Sequence, residues 1–216
     1  AVFVRNIGLP SREVALYRAV IAALALFLWQ LCTRQTVRWQ DVKKELPLLF
    51  VSGAAMSVNW ILLFEAYKYT TVAMATLSYY FAPVIVTVAS TVLFREGLTA
   101  KQISCFVMST LGLVMVIGVS GGGGNDLLGI LLGLGAAVFY AAVVLINKGI
   151  RRVSGLNRTF MQFLAAILVM TPYISMTGGS HLAGLDMTGA VNLMVVGVFH
   201  TGICYCMYFS SLRYLK

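Results

Sequence analysis

Charge is scarce in this sequence, and acid is scarcest: of 216 residues only 7 are Asp or Glu against 16 Lys or Arg, and charged residues make up 11% in all. A soluble domain of this length needs roughly twice that share of charge to cover its surface. A water-soluble globular protein is therefore excluded. Catalytic groupings are also lacking. There are no paired carboxylates, no Ser/His/Asp set on polar loops and no Gly-rich phosphate-binding loop ending in Lys-Ser/Thr. Neither an enzyme nor an ATP-driven pump is expected. Cysteine is limited to Cys32, Cys105, Cys204 and Cys206, without a C-x-x-C or a Cys/His ligand spacing, so these read as small packing residues. His200 has no second His or carboxylate three or four positions away. No metal and no cofactor are expected. The first apolar run lacks the basic start and small-residue cleavage site of a leader.

What fills the chain instead is apolar sequence, 60% by residue, gathered into runs of the ~20 residues that a helix needs to cross a bilayer. Taking each run as a helix and each polar break as a turn predicts an all-α integral membrane protein, a polytopic helical bundle with seven transmembrane helices. The expected spans are Ser11 to Leu31, Leu46 to Tyr67, Thr70 to Phe94, Ala100 to Val119, Asp126 to Asn147, Asn157 to Met176 and Gly189 to Ser211. Thr99 and Gln102 form a capping box opening the fourth, while Ser11, Asn125 or Asp126, and Asn157 offer cap oxygens to three others. Gly129 and Gly133 give one small-xxx-small spacing, a sign of close helix packing.

Basic residues mark one face. Arg34, Arg38, Lys43 and Lys44 precede the second span, Arg95 and Lys101 flank the turn before the fourth, and Lys148, Arg151, Arg152 and Arg158 lie between the fifth and sixth. These connections alternate with nearly base-free ones, so the basic set is expected on the cytoplasmic side. Arg5, Arg12 and Arg18 are the exceptions on the other face. The net charge of +9 is thus topological, and no nucleic-acid partner is expected.

Two helix endings rhyme. "FEAYKY", Phe64 to Tyr69, and "FSSLRY", Phe209 to Tyr214, share Phe, a small residue, a base and Tyr at the same places, at an offset of 145. The same offset sets Trp60 against Tyr205, Lys68 against Arg213 and Leu46 against Val191. A unit repeating at that length holds five helices, an odd number, so the second copy enters the membrane from the opposite side. The reading is a 5+5 inverted repeat of ten helices, of which seven are present. Residues 1–119 form a first repeat lacking most of its first helix, 120–125 a Gly-rich linker, and 126–216 a second repeat lacking its last two helices.

Stretches such as "ILLFEAYKYTTVAMATLSYYFAPVIVTVASTVLFREGLTAKQISCFVMSTLGLVMVI" and "LLGILLGLGAAVFYAAVVLINKGIRR" resemble the drug/metabolite transporter superfamily, in its EamA-type branch. Ala66, Lys68, Tyr69, Pro83, Glu96, Leu98 and Thr99 occupy the places of that family's repeat pattern. The resemblance implies a secondary transporter and a location in the bacterial cytoplasmic (inner) membrane.

Candidate residues follow from cost. Ionisable groups inside a span are expensive and so mark function by default. Glu65 reads either as an interfacial ion pair with Lys68 or as a coupling carboxylate, and Arg18 either snorkels outward or lines a vestibule. Inverted-repeat transporters bind near the midplane. Asn59, Trp60, Tyr79, Tyr80, His200 and Tyr205 fall near that plane by count and are the expected substrate path, with Trp60 and Tyr205 as symmetry mates. Of the adjacent Tyr79 and Tyr80 only one points inward. Pro83 removes a backbone donor in mid-helix and is the hinge candidate. The function expected is alternating-access transport of small polar organic metabolites such as amino acids, with lipid as surroundings and protons or a counter-solute as coupling partner. The rival readings are a seven-helix receptor or sensor and a non-transporting scaffold.

Overall fold

A computed structural model describes residues 8–33, 39–94, 97–119, 124–153, 155–178, 181–204 and 207. Among the described residues helix is the only regular structure. In chain order the helices are α1 (Ser11–Cys32), α2 (Trp39–Tyr69), α3 (Val72–Tyr79), α4 (Ala82–Phe94), α5 (Ala100–Val119), α6 (Gly124–Gly149), α7 (Gly155–Met176) and α8 (Met187–Val195). A 3-10 turn, Leu182–Gly184, precedes α8, and a π-helical stretch, Val196–Ile203, continues from it. Among the described residues five spans are long and apolar enough to cross a membrane: Arg12–Cys32, Trp39–Tyr69, Val72–Leu93, Asp126–Gly149 and Gly155–Met176. The protein is a polytopic, all-helical membrane protein. Met187–Phe199 is a shorter apolar helix, and the end of the seventh expected span lies outside the described residues.

Helix ends follow local chemistry, with informative departures. The capping box forms: the Thr99 backbone N–H donates to Gln102 Oε1 at 2.8 Å, and the Gln102 N–H donates to Thr99 Oγ1 at 3.3 Å. The other three expected caps do not stand where the sequence put them. Pro10 caps α1, its carbonyl accepting from the Glu13 and Val14 N–H groups, and α6 and α7 open at Gly124 and Gly155, which moves Asp126 and Asn157 inside the first turn. Thr71 and Asp186 are caps instead, accepting from the N–H of Met74 and of Gly189. α2 begins two turns early, because "WQDVKKE" is a polar helical lead-in that hydropathy does not register. At 31 residues it is about 46 Å long, well beyond a ~30 Å hydrocarbon core. The third expected span is split: α3 ends at Tyr79, and Pro83 sits in the first turn of α4. That is the position where a missing N–H costs least and where the proline ring displaces the carbonyl four residues back.

The described chain forms two compact units. One comprises Ala1–Ser57 with Ile150–Lys216, the other Val58–Gly149, and each draws on both sides of the 120–125 linker. In the first, α1 packs against α7 and the π-helical stretch. Alanine makes this close: Ala15, Ala19, Ala22, Phe163, Ala166 and Met170 are fully buried. Gly197 lies where any Cβ would come within 2.7 Å of Ile21, so only glycine lets the π-helical stretch approach α1. Gly53 is as tight against Gln162 and Ala165 of α7, and beside it Gln162 Nε2 donates to Ser52 Oγ at 2.6 Å. In the second unit α6 packs against α3 and α4. Both glycines of the small-xxx-small pair make the contact, Gly129 against Thr70 and Gly133 against Ala75 and Ser78. Helix α5 stays open, with Phe106, Met108, Leu111 and Met115 exposed. Cys32, Cys105 and Cys204 are free and exposed as well. In lipid an exposed thiol costs no more than a packed one, which is why apolar context did not predict burial.

Candidate functional site

Within the second unit, polar and aromatic side chains converge on one helix. Asn59, on α2, is buried and donates its Nδ2 to the Ala136 carbonyl of α6 at 2.6 Å. One turn further along α6, Tyr140 meets Tyr79 of α3 edge to face, with ring centroids 5.6 Å apart at 69°. Tyr79 also touches Tyr80 at 6.2 Å, but the two diverge: Tyr79 is half-buried, whereas Tyr80 is 66% exposed. Trp60 follows Asn59 on α2 and is half-buried. Asn59, Tyr79 and Tyr140 thus share α6 as a common wall, and the break after Tyr79 leaves that ring on the last residue of a short rigid helix. An edge-to-face pair of this kind contributes about 0.5–1.5 kcal/mol beyond its buried area. It also fixes two hydroxyl-bearing rings beside an amide. Tyr140 was missed in the sequence, although a mid-span tyrosine four residues beyond Ala136 satisfies the same cost argument that selected Tyr79.

Other candidates fall elsewhere. His200 belongs to the π-helical stretch. Tyr205 lies outside the described residues. Arg18 is half-buried on α1. Glu65 is held by Lys68, Nζ to Oε1 at 2.6 Å, on a partly exposed helix end. Pro83 is the second residue of α4, just after the break.

Two carboxylates that the sequence reading passed over are the most buried acids described. Glu13 is 0% exposed and takes both the His181 N–H, at 2.9 Å to Oε2, and the His181 ring Nδ1, at 2.6 Å to Oε1. Its neighbour Arg12 donates from Nη2 to the Thr177 carbonyl at 2.9 Å, so consecutive residues of α1 grip both ends of the turn after α7. Glu45, at the end of the polar lead-in of α2, accepts the backbone N–H groups of Arg151, Arg152 and Val153 at 3.0, 3.0 and 3.2 Å. Each acid meets a loop more than 100 positions away, and no local pattern announces such a partner. Among the described residues no three His, Cys, Asp or Glu gather as a metal site.

Comparison with known proteins bears on this arrangement. A family model described as EamA-like transporter family matches residues 1–118 and again 127–216. An uncharacterized transporter of Bacillus subtilis is 30% identical over 219 residues, spanning 99% of this chain and 69% of the relative. An uncharacterized transporter of Archaeoglobus fulgidus is 26% identical over 219 residues, spanning 100% of this chain and 73% of its own. A crystal structure at 16% identity shares the fold, with a TM-score of 0.74 over 96% of this chain and 72% of that one.

Proposed function

We propose, from the premise that this chain belongs to the EamA-like transporter family, that it moves small polar organic solutes, such as amino acids, by alternating access. A transporter needs two exchangeable packings around one site, and an inverted repeat supplies them. Support for two copies comes from the separate family matches on either side of residues 119–126. On this reading residues 1–119 and 126–216 are the repeats, and the full architecture has ten helices. The path candidates within the second unit are Asn59, Trp60, Tyr79 and Tyr80, to which Tyr140 is added; His200 and Tyr205 stay candidates by their place in the sequence alone.

The observation that carries the assignment of the path is the Tyr79–Tyr140 pair standing one turn from the Asn59–Ala136 hydrogen bond. Flat apolar faces with single polar handles suit a solute whose body is partly apolar. On this reading Pro83 is the hinge, and the break at Tyr80 and Phe81 between the short α3 and α4 supports it. Arg18 is the vestibule candidate, and Glu65 keeps a coupling role with protons or a counter-solute only if Lys68 releases it during the cycle. Trp60→Ala, Tyr140→Ala and Tyr205→Ala in reconstituted protein test the path. Each is expected to lower solute flux by tenfold or more with unchanged membrane insertion, as removal of a gripping aromatic does. Wild-type flux in the triple variant overturns the path.

A further inference from the structure

The mechanism above leaves Glu45 and the loop it holds without a role. Three backbone N–H groups converge on that carboxylate, an arrangement of charge-assisted hydrogen bonds that pins residues 151–153 against the first turns of α2. The bases next to this anchor in the chain are Lys43 and Lys44 on α2 and Arg151 and Arg152 on the loop, all exposed, while the acid that joins helix and loop is buried. Among the described residues none of these four makes a side-chain ion pair. Trp39, at the start of the same helix, is 62% exposed. Four exposed cations, with Arg152 also facing the Glu45 charge, lie near an exposed indole just before the apolar run of α2 begins at Leu46, a combination suited to one ligand class. Phosphate is drawn by clustered bases, and tryptophan settles at the headgroup level.

We infer that Lys43, Lys44, Arg151 and Arg152, assembled by Glu45 and flanked by Trp39, form a binding site for the headgroup of an anionic phospholipid. The shared chemistry is a phosphate-bearing anion, and the lipid is favoured over a free ion because the site sits at the membrane boundary beside an interfacial aromatic. Topological bases need only their charge. A built site also needs its geometry, and Glu45 separates the two: Glu45→Gln makes the patch more positive yet weakens the acceptor that organises it.

The test is retention of phosphatidylglycerol against phosphatidylcholine by the purified full chain, read by native mass spectrometry after delipidation and re-addition of each lipid. Wild type is expected to prefer phosphatidylglycerol by roughly tenfold or more. Arg151→Gln with Arg152→Gln is expected to bring that preference near parity. Glu45→Gln is expected to lower it as well despite the added net charge, and millimolar inorganic phosphate leaves it unchanged. The proposal is overturned by equal retention of both lipids in wild type, by an unaltered preference in the arginine double variant, by stronger phosphatidylglycerol retention in Glu45→Gln, or by displacement with inorganic phosphate. The two arginines are exposed, so their double variant folds and decides the matter if Glu45→Gln aggregates on size exclusion.

Discussion

Replacing Glu13 separates a hydrogen-bond anchor from a mere space-filler. Its carboxylate is wholly buried, and both oxygens are engaged by one residue, His181, whose backbone N–H and ring Nδ1 lie 2.9 and 2.6 Å away. Glu13→Ala strands the backbone N–H, while the His181 ring, 57% exposed, turns to water. An unsatisfied buried donor costs about 1–3 kcal/mol, so a loss near 2 kcal/mol is expected. Locally this raises the open fraction of the segment around His181 by a factor of about 30. Glu13→Gln keeps an acceptor oxygen for the backbone N–H and an amide for the ring, and should open the turn by less than about fivefold. Amide hydrogen exchange of residues 177–184 in detergent-solubilised protein measures both. Arg12 still holds the Thr177 carbonyl at 2.9 Å, so protection at the start of the turn should persist while that at His181 is lost. Equal acceleration by Ala and Gln, or none by either, refutes the anchoring account.

Three further outcomes follow from the packing and caps. Gly133→Ala places a methyl 2.9 Å from the Ala75 carbonyl, a backbone atom that cannot step aside, and should destabilise the α3–α6 contact by about 1–3 kcal/mol in detergent unfolding. Thr99→Ala removes the Oγ1 that caps α5 and should cost about 1 kcal/mol, with Gln102→Ala less severe. Asn59→Leu loses the bond to the Ala136 carbonyl; hydrogen bonds between membrane helices average about 0.6 kcal/mol, so stability should fall little while flux falls at least tenfold. A large stability loss with intact flux would make Asn59 purely structural.

Features written locally were legible in the sequence, and those depending on distant partners were not. The bounds of helix Ala100–Val119 came out to the residue because a capping box opens it, although it is not among the described spans long and apolar enough to cross a membrane. The start of α2 was set seven residues late, since a polar helical turn outside the bilayer carries no hydropathy signal. The break at Tyr80 and Phe81 was half visible: Pro83 announced a distortion, but whether the helix kinks or ends depends on the packing of α3 against α6. Nothing local announced the π-helical stretch, which rests on the Gly197 contact with Ile21 across 176 positions. The same limit hid Glu13 and Glu45. Neither acid entered the sequence reading, because the loop N–H groups that offset their burial lie 106 to 168 positions away. For the candidate site, mid-span polar residues picked out Asn59 and Tyr79 because burial in lipid forces such groups to find partners. Tyr140 obeyed the same rule and was passed over.

Solute flux into liposomes containing the reconstituted protein tests the central claim most directly, with a panel of labelled amino acids, sugars and small organic acids under an imposed proton gradient and without one. Transport by alternating access predicts saturable, protein-dependent flux of at least one polar solute, accelerated by excess of the same solute on the opposite side. Absence of flux for every solute in protein shown to be inserted and folded would contradict it.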